Sequence, residues 1–353
     1  MKKIAIVTID DTNLGNRLQN YAVQQELVAL GGKPETLRHS CLMGRGTNFL
    51  PIRYCVRLIQ SVRKKIKNRK KINIYSDFRK KITWSKYYLG RKREVSRILN
   101  KYDYILVGSD QVWNTNWYGE QMFLSFVPPE KRVSYAASFG ITSIPEDKRA
   151  MVRENLLKFK AISVREEAGA KIVKELTGRD ATVLVDPTLM LDKEEWIKIE
   201  KKPHRVDFSK PYILTYFLGQ KTERMKSDVK KQAEENELQV FNLMDEQEKA
   251  LYATGPSEFI YLIHHATLVM TDSFHACVFS FLFGKPFLLY ERVGSCDMMS
   301  RMDTLFDTFD LRRKYVDSGL PNEVLECDYS VGYKNLERER KKAIEFLKSA
   351  LEL

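Results

Sequence analysis

The residues able to do chemistry fall in five short polar clusters, each placed after an apolar run. In Asp10-Asp11-Thr12-Asn13-Leu14-Gly15-Asn16 a glycine and small polar side chains stand where a helix would begin. Such a start leaves backbone N–H groups free for an anion, with Asn13, Gly15 and Asn16 as the candidates. The cluster is neither G-x-G-x-x-G nor G-x-x-x-x-G-K-[ST], which argues against a dinucleotide fingerprint and a P-loop. A plain capped turn is the competing reading. Gly108-Ser109-Asp110-Gln111-Val112-Trp113-Asn114 comes next. Ser109, Asp110 and Gln111 supply donors and acceptors, and Asp110 could position or deprotonate a hydroxyl, or merely cap a helix. Trp113 offers a face for stacking on a sugar.

Ser163-Val164-Arg165-Glu166-Glu167 puts an arginine at a strand end, suited to bidentate binding of carboxylate or phosphate. The alternative is a surface pair with Glu166 or Glu167. Thr271-Asp272-Ser273-Phe274-His275 gives turn and N-cap chemistry, then a histidine in the first turn of an apolar helix. A helix N-terminus disfavours imidazolium, so a bound anion would be needed to protonate His275. His275 is then a proton donor when substrate is present; a lone histidine is otherwise a satisfied, partly buried residue. Arg301 in Ser300-Arg301-Met302-Asp303, and Arg292 after the run at 286–290, could reach the same cleft or lie on the surface. His264 and His265 are adjacent, point about 100° apart on a helix, and cannot form an i, i+4 metal pair. Neither a metal nor a cofactor is expected.

Strands and helices alternate around these clusters. Residues 3–9, 104–107, 132–136, 161–164 and 181–185 read as strands, and 16–30, 149–160 and 166–176 as helices. After a polar linker near 200, strands at 212–217, 238–243, 268–271 and 286–290 alternate with helices at 222–236, 256–266 and 275–283. A helix at 333–351 closes the chain. The pattern is that of an α/β protein with two Rossmann-like doubly wound domains, 1–202 and 203–353. Ligands in such sheets bind beyond the carboxyl ends of strands, so the cleft between the domains is the expected site.

The 353 residues are 43% hydrophobic and 30% charged, an ordinary globular balance. The formal charge of +13 is uneven. Residues 53–101 hold 18 Lys/Arg against two acidic residues, a net +16 that leaves the rest at −3. This basic stretch reads as a helical insertion able to lie on an anionic membrane surface or to meet an anionic partner. It has no nucleic-acid-binding motif beside it. Met1-Lys2-Lys3 runs into a short apolar segment unlike a signal peptide, and the five cysteines are scattered. The expectation is a cytoplasmic protein, peripheral at the inner membrane face.

The clusters, in their order and spacing, resemble the polysaccharide pyruvyl transferase family from about residue 3 to 310. The resemblance rests on Asn13-Leu14-Gly15-Asn16-Arg17-Leu18-Gln19-Asn20-Tyr21-Ala22, Val107-Gly108-Ser109-Asp110-Gln111-Val112-Trp113-Asn114 and Ser134-Tyr135-Ala136-Ala137-Ser138-Phe139-Gly140. It continues through Ile162-Ser163-Val164-Arg165-Glu166, Asp186-Pro187-Thr188-Leu189, the Thr271–His275 cluster with Gly284-Lys285-Pro286-Phe287, and Ser300-Arg301-Met302-Asp303-Thr304-Leu305. It implies the GT-B arrangement and transfer of pyruvate from phosphoenolpyruvate to a cell-surface or exopolysaccharide precursor as a ketal, with release of phosphate. The acceptor would be a glycan, free or lipid-linked. His275 matches the family histidine as general acid/base, with Asp110 beside it, and Arg165 matches an arginine that would hold phosphate or carboxylate. Asn13, Gly15, Asn16, Ser109, Gln111, Asp272, Ser273 and Phe274 would line the substrate. Members often have arginine two residues before this histidine; here Ser273 stands there, so Arg292 or Arg301 is expected to complete the anion clamp. A nucleotide-sugar glycosyltransferase and a non-catalytic glycan-assembly protein are the alternatives.

Overall fold

The structure, a computed structural model, describes residues 1–10, 13–39, 77–243, 245, 247–293, 299–316, 319–321 and 323–353. The first unit opens with β1 (Lys3–Val7), α1 (Leu14–Ala29) and β2 (Lys33–His39), then β3 (Trp84–Leu89) and α2 (Val95–Lys101), and β4 (Tyr104–Gly108) and β5 (Arg132–Tyr135). Its sheet runs β3-β2-β1-β4-β5 with every pair parallel. Ile4–Val7 and all of β4 are buried, as strands covered on both faces must be. After α3 (Glu146–Leu157), the short β6 (Ser163–Val164), α4 (Glu167–Thr177) and β7 (Thr182–Val183) follow. Bridges from Val133 to Ala161 and from Ala137 to Val164 join β6 to β5.

The second unit follows α5 (Lys193–Ile197). It comprises β8 (Tyr212–Tyr216), α6 (Glu223–Glu235), β9 (Gln239–Asn242), α7 (Lys249–Tyr252), α8 (Pro256–His264), β10 (Leu268–Thr271), α9 (Phe274–Leu282) and β11 (Phe287–Leu289). Its parallel sheet runs β11-β10-β8-β9. Then come α10 (Met299–Phe309) and α11 (Ser330–Leu351). The fold is therefore α/β, with two Rossmann-like units facing one cleft in the GT-B manner. Strand order reverses between β1 and β4 in one sheet and between β8 and β10 in the other. Both reversals open a crevice at the strands' carboxyl ends, where ligands settle.

Two strands depart from the sequence expectation. β2 was not anticipated, because Lys33-Pro34-Glu35-Thr36-Leu37-Arg38-His39 reads as a polar connection. It is a strand because α1 answers its polar groups: the Thr36 hydroxyl donates to Asn20 (2.7 Å) and accepts from Gln24 (2.8 Å). β3 lies inside the stretch expected as a helical insertion and is the edge strand of the first sheet instead. Arg79 and Arg91 lie over the rings of Trp84 and Tyr88, at 3.8 and 3.9 Å from the centroids, so cations there serve to cover aromatic strand residues. Within that stretch Val95–Lys101 is helical, while residues 53–76 lie outside the described residues.

One apolar core spans both units. Trp196, fully buried on α5, meets Tyr21 of α1 at 5.7 Å and Phe279 of α9 at 4.9 Å between ring centroids. The last helix returns to the first unit. Arg340 of α11 donates to the carbonyls of Leu189 (2.7 Å) and Leu191 (2.9 Å), and Glu352 accepts from Lys160 (2.8 Å) and Lys2 (3.0 Å). Among the described residues no helix is long and apolar enough to cross a membrane.

Candidate active site

The first turns of α1 and α9 meet at the cleft. Asn13 caps α1 by accepting from the Gly15 N–H at 2.9 Å. Gly15 then lies against the imidazole of His275; a Cβ on it would stand 2.0 Å from Nδ1. Glycine is required there by contact. Ser273 is the N-cap residue of α9, but its side chain makes no cap hydrogen bond. The turn is held instead by Thr271, whose hydroxyl accepts from the Ser273 N–H (3.0 Å) and donates to the Tyr216 carbonyl (2.5 Å). The Asp272 carboxylate accepts from the N–H groups of Leu218 and Gly219, both at 2.7 Å, and so ties the β8 and β10 loops together. Asp272 also orients Arg292, whose Nη2 donates to its carbonyl at 2.9 Å.

Behind His275 is a charged network that no single cluster announced. Asp186, fully buried, stands with Oδ2 3.8 Å from His275 Nε2. That oxygen accepts from Arg165 Nη1 at 2.6 Å and from the Ser109 hydroxyl at 3.0 Å, while Oδ1 takes the Thr188 N–H and hydroxyl at 3.0 and 2.7 Å. Asp186 belongs to the Asp186-Pro187-Thr188-Leu189 motif, but its type and spacing alone do not mark it as part of the site. Arg165 pairs with neither Glu166 nor Glu167 in a surface bridge. It is buried, reaches Asp110 Oδ1 at 3.5 Å with Nη2, and stacks on Phe274 at 4.5 Å.

Asp110 sits at φ 65°, a left-handed conformation rare outside glycine, and its carboxylate accepts from the Gln111 N–H at 2.8 Å. Strain of this kind persists where surrounding structure enforces it, and it clusters at functional sites. Arg301, 4% exposed, extends from α10 to 3.8 Å from Asp110. With its amide oxygen turned inward, Gln111 accepts from both Arg301 Nη atoms at 2.9 and 2.8 Å.

The charges act on one another. Burial lowers the pKa of His275, with Asp186 and Asp110 opposing and Arg165 and Arg301 adding to the shift. Burial would raise Asp186, but His275 and Arg165 outweigh it and hold the carboxyl at about 2. Burial and the adjacent Arg165 bring Arg301 down to about 10. The resting site thus holds a neutral imidazole, an ionised Asp186 and two buried guanidiniums. The Nε2 of His275 and the Nε atoms of Arg165 and Arg301 are buried with no hydrogen-bond partner.

A cavity of about 180 Å³ gathers Asn13, Asn16, Asp110, Gln111, Ser273, Phe274, His275, Arg292 and Arg301 on its walls. Arg165, Gly15, Ser109 and Asp272 support that wall from behind. Arg165 also borders a second cavity of about 250 Å³ beyond Phe274 and Arg301. One expectation fails. Trp113 is not a stacking face: it is fully buried between Phe123 (5.4 Å), Phe139 (5.2 Å) and Phe159 (5.4 Å). Trp117, four residues on and unremarked in the sequence, lines the cavity and is 60% exposed. Away from the cleft, His264 and His265 do converge, on Glu200, at 2.9 and 3.4 Å. Each carboxylate oxygen there is already matched to one imidazole, which fixes the linker to α8.

A family model described as polysaccharide pyruvyl transferase matches residues 13–292. No curated protein matches the sequence. Among solved structures, the chain is similar to the UDP-GlcNAc 2-epimerase from Methanocaldococcus jannaschii, with 10% identity, a TM-score of 0.51, and 96% of this chain and 99% of that one covered. It is also similar to the UDP-GlcNAc 2-epimerase from Neisseria meningitidis bound to UDP-GlcNAc, with 11% identity, a TM-score of 0.49, and 99% and 100% covered. At such identities the likeness concerns the fold alone.

Proposed function

The chain belongs to the polysaccharide pyruvyl transferase family, and from that premise we propose that it transfers pyruvate from phosphoenolpyruvate to a sugar of a cell-surface or exopolysaccharide precursor, as a ketal, with release of phosphate. The observation that carries the reading is His275. It is a buried imidazole with an unpartnered Nε2, set between ionised Asp186 and a small cavity bearing Arg292 and Arg301.

The chemistry suits that setting. Protonation of phosphoenolpyruvate at C3 makes a methyl group and a cationic centre at C2. One sugar hydroxyl attacks C2 and gives up its proton. The C2–O bond to phosphate then breaks, and a second hydroxyl closes the ketal with loss of its own proton. One hydroxyl proton replaces the one spent on C3; the other leaves with phosphate. A group that gives and takes protons is therefore needed, beside cations for the phosphate and carboxylate. His275 would be the general acid/base, charged once the donor's anionic groups arrive. Arg301 and Arg292 would bind those groups, doing what an arginine at the Ser273 position does in other members. Arg165 would keep Asp186 ionised rather than grip the donor, since its terminal nitrogens are engaged by Asp186 and Asp110.

Cavity size favours this donor over a nucleotide sugar. About 180 Å³ is below the roughly 300–1,000 Å³ of pockets that enclose drug-sized ligands. The reading is tested by incubating the protein with phosphoenolpyruvate and a panel of free and lipid-linked glycans. Phosphate release in step with ketal formation, followed by NMR, is expected. Thermal stabilisation by nucleotide sugars but not phosphoenolpyruvate, with no ketal on any acceptor, would reject it.

A further inference from the structure

We propose that the indole of Trp117 is the platform on which the acceptor lies, and that the acceptor residue is a pyranose presenting a C–H face to it. The proposal rests on the pyruvyl-transfer reading for what the second substrate is, and on Trp117 for where it binds. Among the described residues Trp117 is the most exposed aromatic, at 60%. An indole left in water forgoes the gain of burying its large apolar surface, so a large exposed ring beside a reacting group invites a ligand.

The backbone that carries the ring is held. The Trp117 N–H donates to the Asn114 carbonyl at 3.0 Å, the Asn116 N–H to Asn114 Oδ1 at 3.1 Å, and the Asn114 N–H to the Gln111 carbonyl at 3.2 Å. The turn is anchored through Trp113, whose indole N–H donates to the Met122 carbonyl at 3.1 Å within the core. The same short turn thus sets Asp110 and Gln111 inside the cavity and Trp117 at its edge.

Space and polarity assign the two substrates to different places. The interior holds His275, Arg292 and Arg301 and is small, which suits a compact anion. With a donor occupying that interior, the sugar ring lies at the opening. There Trp117 comes from the first unit and Leu218, on the loop after β8, from the second; both line the cavity. A pyranose has an apolar face of C–H bonds and a polar edge of hydroxyls. Laid on the indole, it turns that edge toward Asp110 and His275. The stacking then selects which two neighbouring hydroxyls reach C2 of the donor.

The test separates the platform from the reaction. Initial rates with phosphoenolpyruvate and a glycan acceptor are measured for wild type, Trp117→Phe and Trp117→Ala. Calorimetry gives donor affinity without acceptor, and acrylamide quenching of tryptophan fluorescence is followed with acceptor alone. Trp117→Ala should raise acceptor KM about tenfold and leave donor affinity within twofold; Trp117→Phe should fall between. Acceptor should shield a quenchable indole in wild type and not in Trp117→Phe. Unchanged acceptor KM in Trp117→Ala, or donor affinity weakened as much as acceptor affinity, overturns the platform while leaving the transferase reading intact. Wild type that forms no ketal but whose indole is still shielded by glycan overturns the reading and keeps the platform. Absence of both rejects both.

Discussion

His275 Nε2 stands 3.8 Å from Asp186 Oδ2, and neither group is open to bulk water. The carboxylate is too far for a full hydrogen bond but near enough to stabilise an imidazolium by several kcal/mol at a protein-like dielectric (roughly 4 at an effective constant near 20). His275→Ala should lower the rate of ketal formation by at least ~10²-fold with the fold retained. Asp186→Asn keeps size and should slow turnover while lowering the pH at which His275 titrates. Steady-state rates against pH, with NMR titration of the imidazole, check both. An Asp186→Asn profile that overlays wild type would remove Asp186 from the mechanism.

Gly15→Ala places a methyl group 2.0 Å from the position of His275 Nδ1. The imidazole must move, because the α1 backbone is fixed by its cap and its packing. A displacement of about 1 Å at a reacting group costs on the order of 10²-fold in rate. The variant should fold, shown by an unchanged circular dichroism spectrum, and should lose kcat much more than donor affinity.

Arg165 and Arg301 should fail in different ways. Arg165→Met strands Asp186 and Asp110 in the interior without their partner, and breaking a buried pair from one side costs about 3–5 kcal/mol. Denaturant melts should show that loss. Arg301→Lys retains charge but gives up the two contacts to Gln111 and any bidentate grip on an anion. It should raise donor KM with little change in stability.

Acid should destabilise the protein in two stages. His275 is pushed below 6.5 by burial, so as pH falls through 6.5 the unfolded chain takes up a proton that the folded chain refuses. Asp186, held at about 2 against an ordinary 3.8, contributes stability above pH 3.8 that disappears between 3.8 and 2, of order 2 kcal/mol. Urea melts from pH 7 to 3 should lose stability monotonically, and His275→Gln should flatten the portion just below 6.5. Stability that rises on acidification through that range would contradict the burial of a neutral imidazole.

Legibility from sequence followed local pattern. Asn13, Asp110, Arg165 and His275 come together in the structure because each follows an apolar run, and parallel sheets put such positions at one edge. Asp186 also follows an apolar run, at 181–185, but its part in the site rests on Arg165 and Ser109, distant in sequence, which no local pattern announces. β2 was missed because the polar side chains of α1 that satisfy it, Asn20 and Gln24, look solvent-facing until the helix is packed. Trp113, expected as a stacking face, is core and Trp117 is exposed, because a turn has no periodicity to say which aromatic points inward. The clamp expected at Arg292 or Arg301 involves contacts between the units, which a linear pattern does not encode.

The aromatic contacts of Trp196 with Tyr21 and Phe279 bear on how the molecule melts and breathes. A chain of ring contacts running from α1 through α5 to α9 couples the unfolding of the two units, so calorimetry should record one transition with matching calorimetric and van't Hoff enthalpies. The units then have little freedom to part like jaws, and traffic into the cavity falls to side chains and loop tips at its rim. A catalyst of this build would be gated by local breathing and would stay nearly constant in overall dimensions through its cycle, a constancy that small-angle scattering with and without substrates can read.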